Sequence, residues 1–157
     1  MKAQHILAAL VIGAKTAPVV LATGSYAKTV PSIELGERIV TSDQALNLGF
    51  VPEKAIVFGG GVIGVEFASV WASFGADVTI VEALPRLVAA EDPWCSTQLE
   101  RAFRKRGISA RTGVTVAAAK ETADGVLVEL DGGDTLEADI LLVAGGGGAR
   151  TRRCGFA

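Results

Sequence analysis

Ala55-Ile56-Val57-Phe58-Gly59-Gly60-Gly61-Val62-Ile63-Gly64-Val65-Glu66 is the stretch on which the fold turns. Four apolar residues in a row read as a buried strand. Gly59, Gly61 and Gly64 then fill a G-x-G-x-x-G pattern. From Val62 to Phe74 there is no proline, and apolar side chains fall at 63, 67, 70, 71 and 74, the spacing of a helix. Gly75 ends that helix as a C-terminal cap. Asp77-Val78-Thr79-Ile80-Val81-Glu82 follows as a second strand of the unit. The order is strand, glycine turn, helix, strand.

The glycine pattern is weak alone, and its context makes it specific: a buried strand before it, a helix opening inside it, and an acid closing the next strand. Gly59 permits a tight turn out of the strand. Gly61 leaves no Cβ in the way of a pyrophosphate, and Gly64 lets the helix pack close to the sheet. Gly60, Val62 and Ile63 complete the candidate cradle. The first helical N–H groups lack internal partners and point at the phosphates, and the helix dipole adds about half a positive charge there. Glu82 stands 18 residues after Gly64, at the strand end where a carboxylate accepts both ribose hydroxyls and repels a 2′-phosphate. That pattern favours NAD over NADP, although Arg86 is near enough to keep NADP open. Glu66, expected in the first turn of the helix, has two readings: an acid stabilising the helix start, or a side chain beside the nicotinamide.

Pro18 to Ala22 is a short apolar run entering Thr23-Gly24-Ser25, read as a buried strand leaving into a turn. Ser42-Asp43 could cap a short helix through Leu46 and Leu48. Asp92-Pro93 opens another helix as N-cap and first-position proline. Its apolar positions are Cys95, Leu99, Ala102 and Phe103, so Cys95 is expected to be a buried small hydrophobe. Arg101, Arg104, Lys105 and Arg106 crowd its last turns, and Gly107 stops it. Residues 112–137 change to a period of two and read as a small antiparallel meander. Ile140 to Ala144 is a final buried strand running into Gly145-Gly146-Gly147-Gly148.

The chain's 157 residues suit one domain, and 50% of them are apolar, enough for a substantial core. With 15 basic and 17 acidic residues well mixed, the charge offers no footprint for nucleic acid and no polybasic patch for a membrane. Cys95 and Cys154 form neither a C-x-x-C pair nor zinc spacing, and His5 is the single histidine, so neither a disulfide framework nor a metal site is expected. The simplest setting is the reducing cytoplasm. The apolar run at residues 6–12 resembles a secretory signal faintly, but its basic region is weak and no A-x-A site follows. It is too short to span a membrane.

At these residues the sequence resembles the NAD-binding domain of the flavoprotein disulfide reductases (pyridine nucleotide-disulfide oxidoreductases). Within that family it is most like the dihydrolipoamide dehydrogenases, the flavoenzyme components of 2-oxo acid dehydrogenase complexes. The matching pieces run in order: Leu21 to Ser25, Val40 to Asp43, Val51-Pro52, Gly59 to Glu66, Gly75 to Glu82, Asp92, and Ala138 to Ala144. They span residues 15–151, with 1–14 matching poorly and 152–157 left as a tail. The resemblance implies an α/β, Rossmann-like FAD/NAD(P)-binding domain, a parallel sheet with helices on both faces and a small antiparallel meander.

It also implies roles. Thr23, Gly24 and Ser25 would touch FAD, the turn at 59–64 and Glu82 would hold NAD, Glu66 would lie near the nicotinamide, and Val116 would flank the adenine. The family passes electrons from dihydrolipoamide through a redox disulfide to FAD and then to NAD⁺, as a homodimer. This sequence departs from that pattern. It has no pair of cysteines four residues apart before Ala22, and no His–Glu base. The loop that reads Val-Gly-Arg-x-Pro-Asn-Thr in the family is Gly145 to Thr151 here. Gly146, an implied cofactor contact, and Thr151 match, while the Arg and Pro are lost. The expectation is therefore an NAD(H)-binding piece of a dihydrolipoamide dehydrogenase-like flavoenzyme, inactive alone, whose partners are a nicotinamide dinucleotide and missing FAD and interface domains. Three alternatives stay open: a piece of another NAD(P)H-dependent flavoprotein reductase or oxidase, a non-catalytic nucleotide-binding module, and a truncated product with exposed apolar surface.

Overall fold

The structure, a computed structural model, describes residues 20–151. The signal-like run at 6–12, His5, Cys154 and the tail lie outside the described residues. The described residues divide into two units, one holding residues 20–26 and 149–151 and the other Ala27–Gly148. A two-stranded sheet pairs β1 (Ser25–Ala27) with β10 (Gly147–Ala149). In the first unit, Gly24 takes a φ of 87° and its carbonyl accepts the Arg150 N–H at 2.9 Å. The Arg150 side chain donates through Nε to the Ser25 carbonyl at 2.8 Å.

The larger unit is built on a five-stranded parallel sheet of order β2-β9-β3-β4-β5. Its strands are β2 (Ile39–Thr41), β3 (Lys54–Phe58), β4 (Asp77–Glu82), β5 (Ser109–Thr112) and β9 (Ile140–Val143). From β3 the chain steps outward to β4 and β5, and later returns to lay β9 on the other side of β3. The point where the order reverses, between β3 and β9, is where an open α/β sheet forms its binding crevice. β2, β9 and the middles of β3 and β4 are buried on both faces, which is why they read as apolar runs, whereas the edge strand β5 is largely exposed.

Side chains alternate between two cores. Val40, Ala55, Val57, Val78, Ile80, Ile140 and Leu142 face the helices. Ile39, Ile56, Val81, Leu141 and Val143 face the antiparallel meander. That meander is β6 (Val116–Glu121), β7 (Val126–Leu130) and β8 (Thr135–Ala138). The helices α1 (Ser42–Ala45), α2 (Val62–Ser73) and α3 (Pro93–Lys105) all contribute to the first core. The expectation of helices on both faces is thus corrected: the described helices cover one face, and the meander already covers the apolar surface of the other.

Three local expectations are also corrected. Residues 18 and 19 lie outside the described residues, and Val20 to Ala22 form no strand, with Val20 85% exposed. An apolar run becomes a strand only where a neighbour completes its hydrogen bonds, and here pairing begins at Ser25. On α2 the buried side is Gly64, Val65, Ala68 and Trp71, while Val62, Ile63, Val70 and Phe74 are exposed. Trp71 is inward as expected and Phe67 packs against the core, while Gly64, Val65 and Ala68 complete the buried side in place of Ile63, Val70 and Phe74. On α3, Cys95 is exposed. The face toward the core runs through Ser96 and Phe103, with Leu99 packed against it. Leu99 and Phe103 face the core as expected, Ser96 rather than Cys95 takes the first inward position, and Ala102 is exposed.

Candidate functional site

The turn out of β3 is fixed by main-chain bonds. The Gly59 N–H donates to the Val81 carbonyl at 2.9 Å, and the Ala144 N–H donates to the Phe58 carbonyl at 2.8 Å. Gly59 has a φ of 115°, a region that side chains disfavour. A Cβ there would also run into the Ala144 carbonyl. A Cβ on Gly64 would run into the Gly59 carbonyl. At Gly61, by contrast, a Cβ would meet nothing within 4 Å. Two of the three motif glycines are therefore required by the packing of the turn, and the third by nothing inside the protein.

Gly61 is also the N-cap of α2, in extended conformation, and no side chain caps the helix. The first amide groups of a 12-residue helix thus begin at a residue with no side chain to offer them. Val62 and Ile63, the first two helical residues, lie on the exposed side.

Glu82 reaches back across the turn. Its Oε2 accepts the Gly60 N–H at 2.5 Å and its Oε1 accepts the Leu84 N–H at 2.8 Å. Its own main chain is tied to the next strand connection, the Glu82 carbonyl accepting the Val114 N–H at 3.1 Å. Around these groups lies a cavity of about 320 Å³ lined by Val30, Phe58, Gly59, Gly61, Glu82, Ala83, Ala144, Gly145 and Gly146. It sits at the carboxyl ends of β3, β4 and β9, at the reversal of strand order.

Of the residues singled out from sequence, the structure gathers Gly59, Gly60, Gly61, Val62, Ile63, Gly64, Glu82 and Gly146 at this corner. Glu66 is exposed and is the fifth residue of α2, beyond its first turn, because the helix opens at Val62. The expectation of an acid at the helix start is corrected accordingly. Val116 is buried in the core between the sheet and the meander and does not line the cavity. Thr23, Gly24 and Ser25 are exposed. The Arg86 side chain donates through Nη2 to the Ala89 carbonyl at 2.6 Å and the Glu91 carbonyl at 3.3 Å. Its guanidinium is engaged in closing its own loop.

Sequence reasoning missed the apolar wall of the cavity, Val30, Phe58 and Ala144. Phe58 and Ala144 end the two strands that flank the reversal, so strand order would have found them. Val30 comes from a connection with no periodic signal. Among the described residues, no group of three or more metal-ligating side chains gathers, and no helix is long and apolar enough to cross a membrane.

Comparison with known proteins gives a consistent result. Residues 12–155 match the family described as pyridine nucleotide-disulphide oxidoreductase. The chain is 40% identical over 145 residues to dihydrolipoamide dehydrogenase of Chaetomium thermophilum, covering 88% of this chain and 29% of that protein. It is 42% identical over 140 residues to dihydrolipoyl dehydrogenase of Chlorobaculum tepidum, covering 86% and 29%. Among solved structures, LpdA from Mycobacterium tuberculosis superposes with a TM-score of 0.77 at 32% identity, over 85% of this chain and 29% of that one. The chain thus spans less than a third of the length of these relatives.

Proposed function

The chain belongs to the pyridine nucleotide-disulphide oxidoreductase family, and from that premise we propose that its glycine corner binds NAD(H) for a flavoenzyme of the dihydrolipoamide dehydrogenase kind. The observation that carries this reading is Gly61. An open Cβ position at the uncapped start of α2 leaves room for a phosphate against the first amides. Gly61 and its neighbours bind the pyrophosphate, and Val30, Phe58 and Ala144 give the cavity an apolar wall. Glu82 orients the adenosine ribose. Its carboxylate keeps lone pairs free beside the two main-chain bonds it accepts. With Arg86 engaged by Ala89 and Glu91, no guanidinium is free in that loop to pair with a 2′-phosphate, so NAD is favoured over NADP.

NAD, when bound, supplies hydride exchange at its nicotinamide. In the same reading Thr23, Gly24 and Ser25 contact FAD in the larger assembly, and the enzyme is a homodimer working with 2-oxo acid dehydrogenase complexes. In this reading the dithiol chemistry belongs to the larger assembly, and this chain alone is expected to carry no dithiol activity.

Titration with NADH and NADPH tests the reading, followed by the fluorescence of the reduced nicotinamide. Saturable NADH binding is expected, with NADPH weaker by at least roughly tenfold from repulsion at Glu82. NADPH binding as tight as NADH would overturn the role of Glu82. Absence of saturable binding by either would overturn the nucleotide site.

A further inference from the structure

Gly60 is held through both of its flanking peptide groups. Its N–H donates to Glu82, and its carbonyl accepts the Val88 N–H at 2.7 Å. Val88 is the one non-glycine residue among those described with positive φ, at 43°. For a β-branched side chain that is a strained backbone, and it persists only where the surroundings over-determine it. Those surroundings are in view. Leu87 is fully buried beneath Gly60, where a Cβ on the glycine would run into its side chain. The Leu87 carbonyl accepts the Ser96 hydroxyl at 2.7 Å, and the Leu87 N–H donates to Glu100 Oε1 at 3.1 Å. Ser96 is itself buried, 2% exposed, on the inner face of α3.

We propose that Ser96 and Glu100 are positioning residues for the dinucleotide site, acting through Leu87 and Val88 on the orientation of the Gly60–Gly61 peptide. This rests on the NAD(H) reading of the glycine corner. The geometric link is the planarity of the peptide bond. Among the described residues no peptide is cis, so the Gly60 carbonyl and the Gly61 N–H point in opposite directions across one rigid plane. Holding the carbonyl on Val88 therefore aims the Gly61 N–H away from the 84–91 loop. Gly61 has no side chain that could enforce that direction, and its own surroundings are open. A free Gly-Gly-Gly segment would sample many orientations, and a donor that must first be ordered binds its anion less tightly. Helix α3 thus sets the direction of an amide at the head of α2.

The test uses the full chain with Ser96→Ala, Glu100→Ala, Glu100→Gln and, as a control away from the turn, Ser69→Ala. Ser69 takes part in a separate brace, its hydroxyl and carbonyl accepting the Arg106 guanidinium at 2.6 and 2.8 Å. Ser96→Ala and Glu100→Ala are each expected to weaken NADH binding roughly three- to tenfold, the effect of one lost buried hydrogen bond. They are also expected to shift the Gly60 and Gly61 amide resonances in the nucleotide-free protein. Glu100→Gln, which keeps the accepting oxygen, is expected to restore affinity to within about twofold. Ser69→Ala is expected to lower thermal stability without moving those resonances or the affinity. If Ser96→Ala fails to fold, the half-exposed Glu100 pair decides the matter. Unchanged NADH affinity in both alanine variants overturns the positioning role while leaving the nucleotide site in place. A wild-type chain that binds no NADH overturns the site reading, and the positioning role with it.

Discussion

At the scale of the residue, the three motif glycines separate into two kinds, and substitution should separate them too. Gly64→Ala forces a methyl group into the Gly59 carbonyl. Neither atom can move without displacing the strand or the helix. The expected loss of stability is about 3 kcal/mol, at the upper end of overpacking costs, measured by urea denaturation. Gly61→Ser should do the opposite. The position is open, its backbone is extended, and serine is a better N-cap than glycine. The nucleotide-free protein should gain about 0.5 kcal/mol. NADH affinity should fall by at least roughly tenfold, because the hydroxyl takes the amides that the pyrophosphate would use. Opposite signs for stability and affinity in one variant would be hard to obtain from a turn whose glycines only close a bend. Calorimetry on the same samples measures both.

At the scale of the element, α2 shows how far the sequence could be read. Its start, its end at Gly75 and the strands on either side follow from glycine and proline punctuation and from apolar runs, and they stand where expected. Which side of α2 is inward followed only in part. Of the expected stripe, Phe67 and Trp71 pack inward, but Ile63, Val70 and Phe74 are exposed and Gly64, Val65 and Ala68 are buried instead, a choice that periodicity alone does not make. The close approach of Gly64 to Gly59 decides it, and that contact spans the turn rather than the helix. On α3, Leu99 and Phe103 are inward as expected, and the miss at Cys95 has a related reason. Ser96 is polar by type, but it is buried because a main-chain carbonyl, that of Leu87, needs its hydroxyl. Composition carries no trace of such a need. The inner stripe has a measurable consequence. Trp71→Ala should cost about 3–5 kcal/mol as a buried aromatic. Val70→Ala, its exposed neighbour, should stay within about 0.5 kcal/mol. Parallel denaturation curves with equal slopes would check both values.

At the scale of the whole molecule, the strands at the centre of the larger unit also carry the candidate site. β3 and β9 are neighbours, buried on both faces, and their ends meet at Gly59 and Ala144. Their amides should exchange with solvent most slowly, near the global unfolding limit, while those of the short α1 and its exposed Leu46 exchange early. Ligand linkage adds a second expectation. NADH at about 100 times its dissociation constant should raise unfolding free energy by about 2.7 kcal/mol. For a chain of this size that moves the melting temperature by roughly 5–10 °C. A shift of that size with NADH, absent with inorganic phosphate at the same concentration, would tie the stabilisation to the whole dinucleotide.

The Glu82 carboxylate has a consequence for how such a protein can change over generations. Its two oxygens hold the Gly60 and Leu84 amides, so the group that would turn away an extra phosphate also keeps the turn in shape. A lineage shifting its preference toward the phosphorylated coenzyme cannot simply discard the acid. It must first acquire another acceptor for those two amides, so selectivity should drift through at least two linked replacements, with a poorly folded ancestor between them if they come in the wrong order.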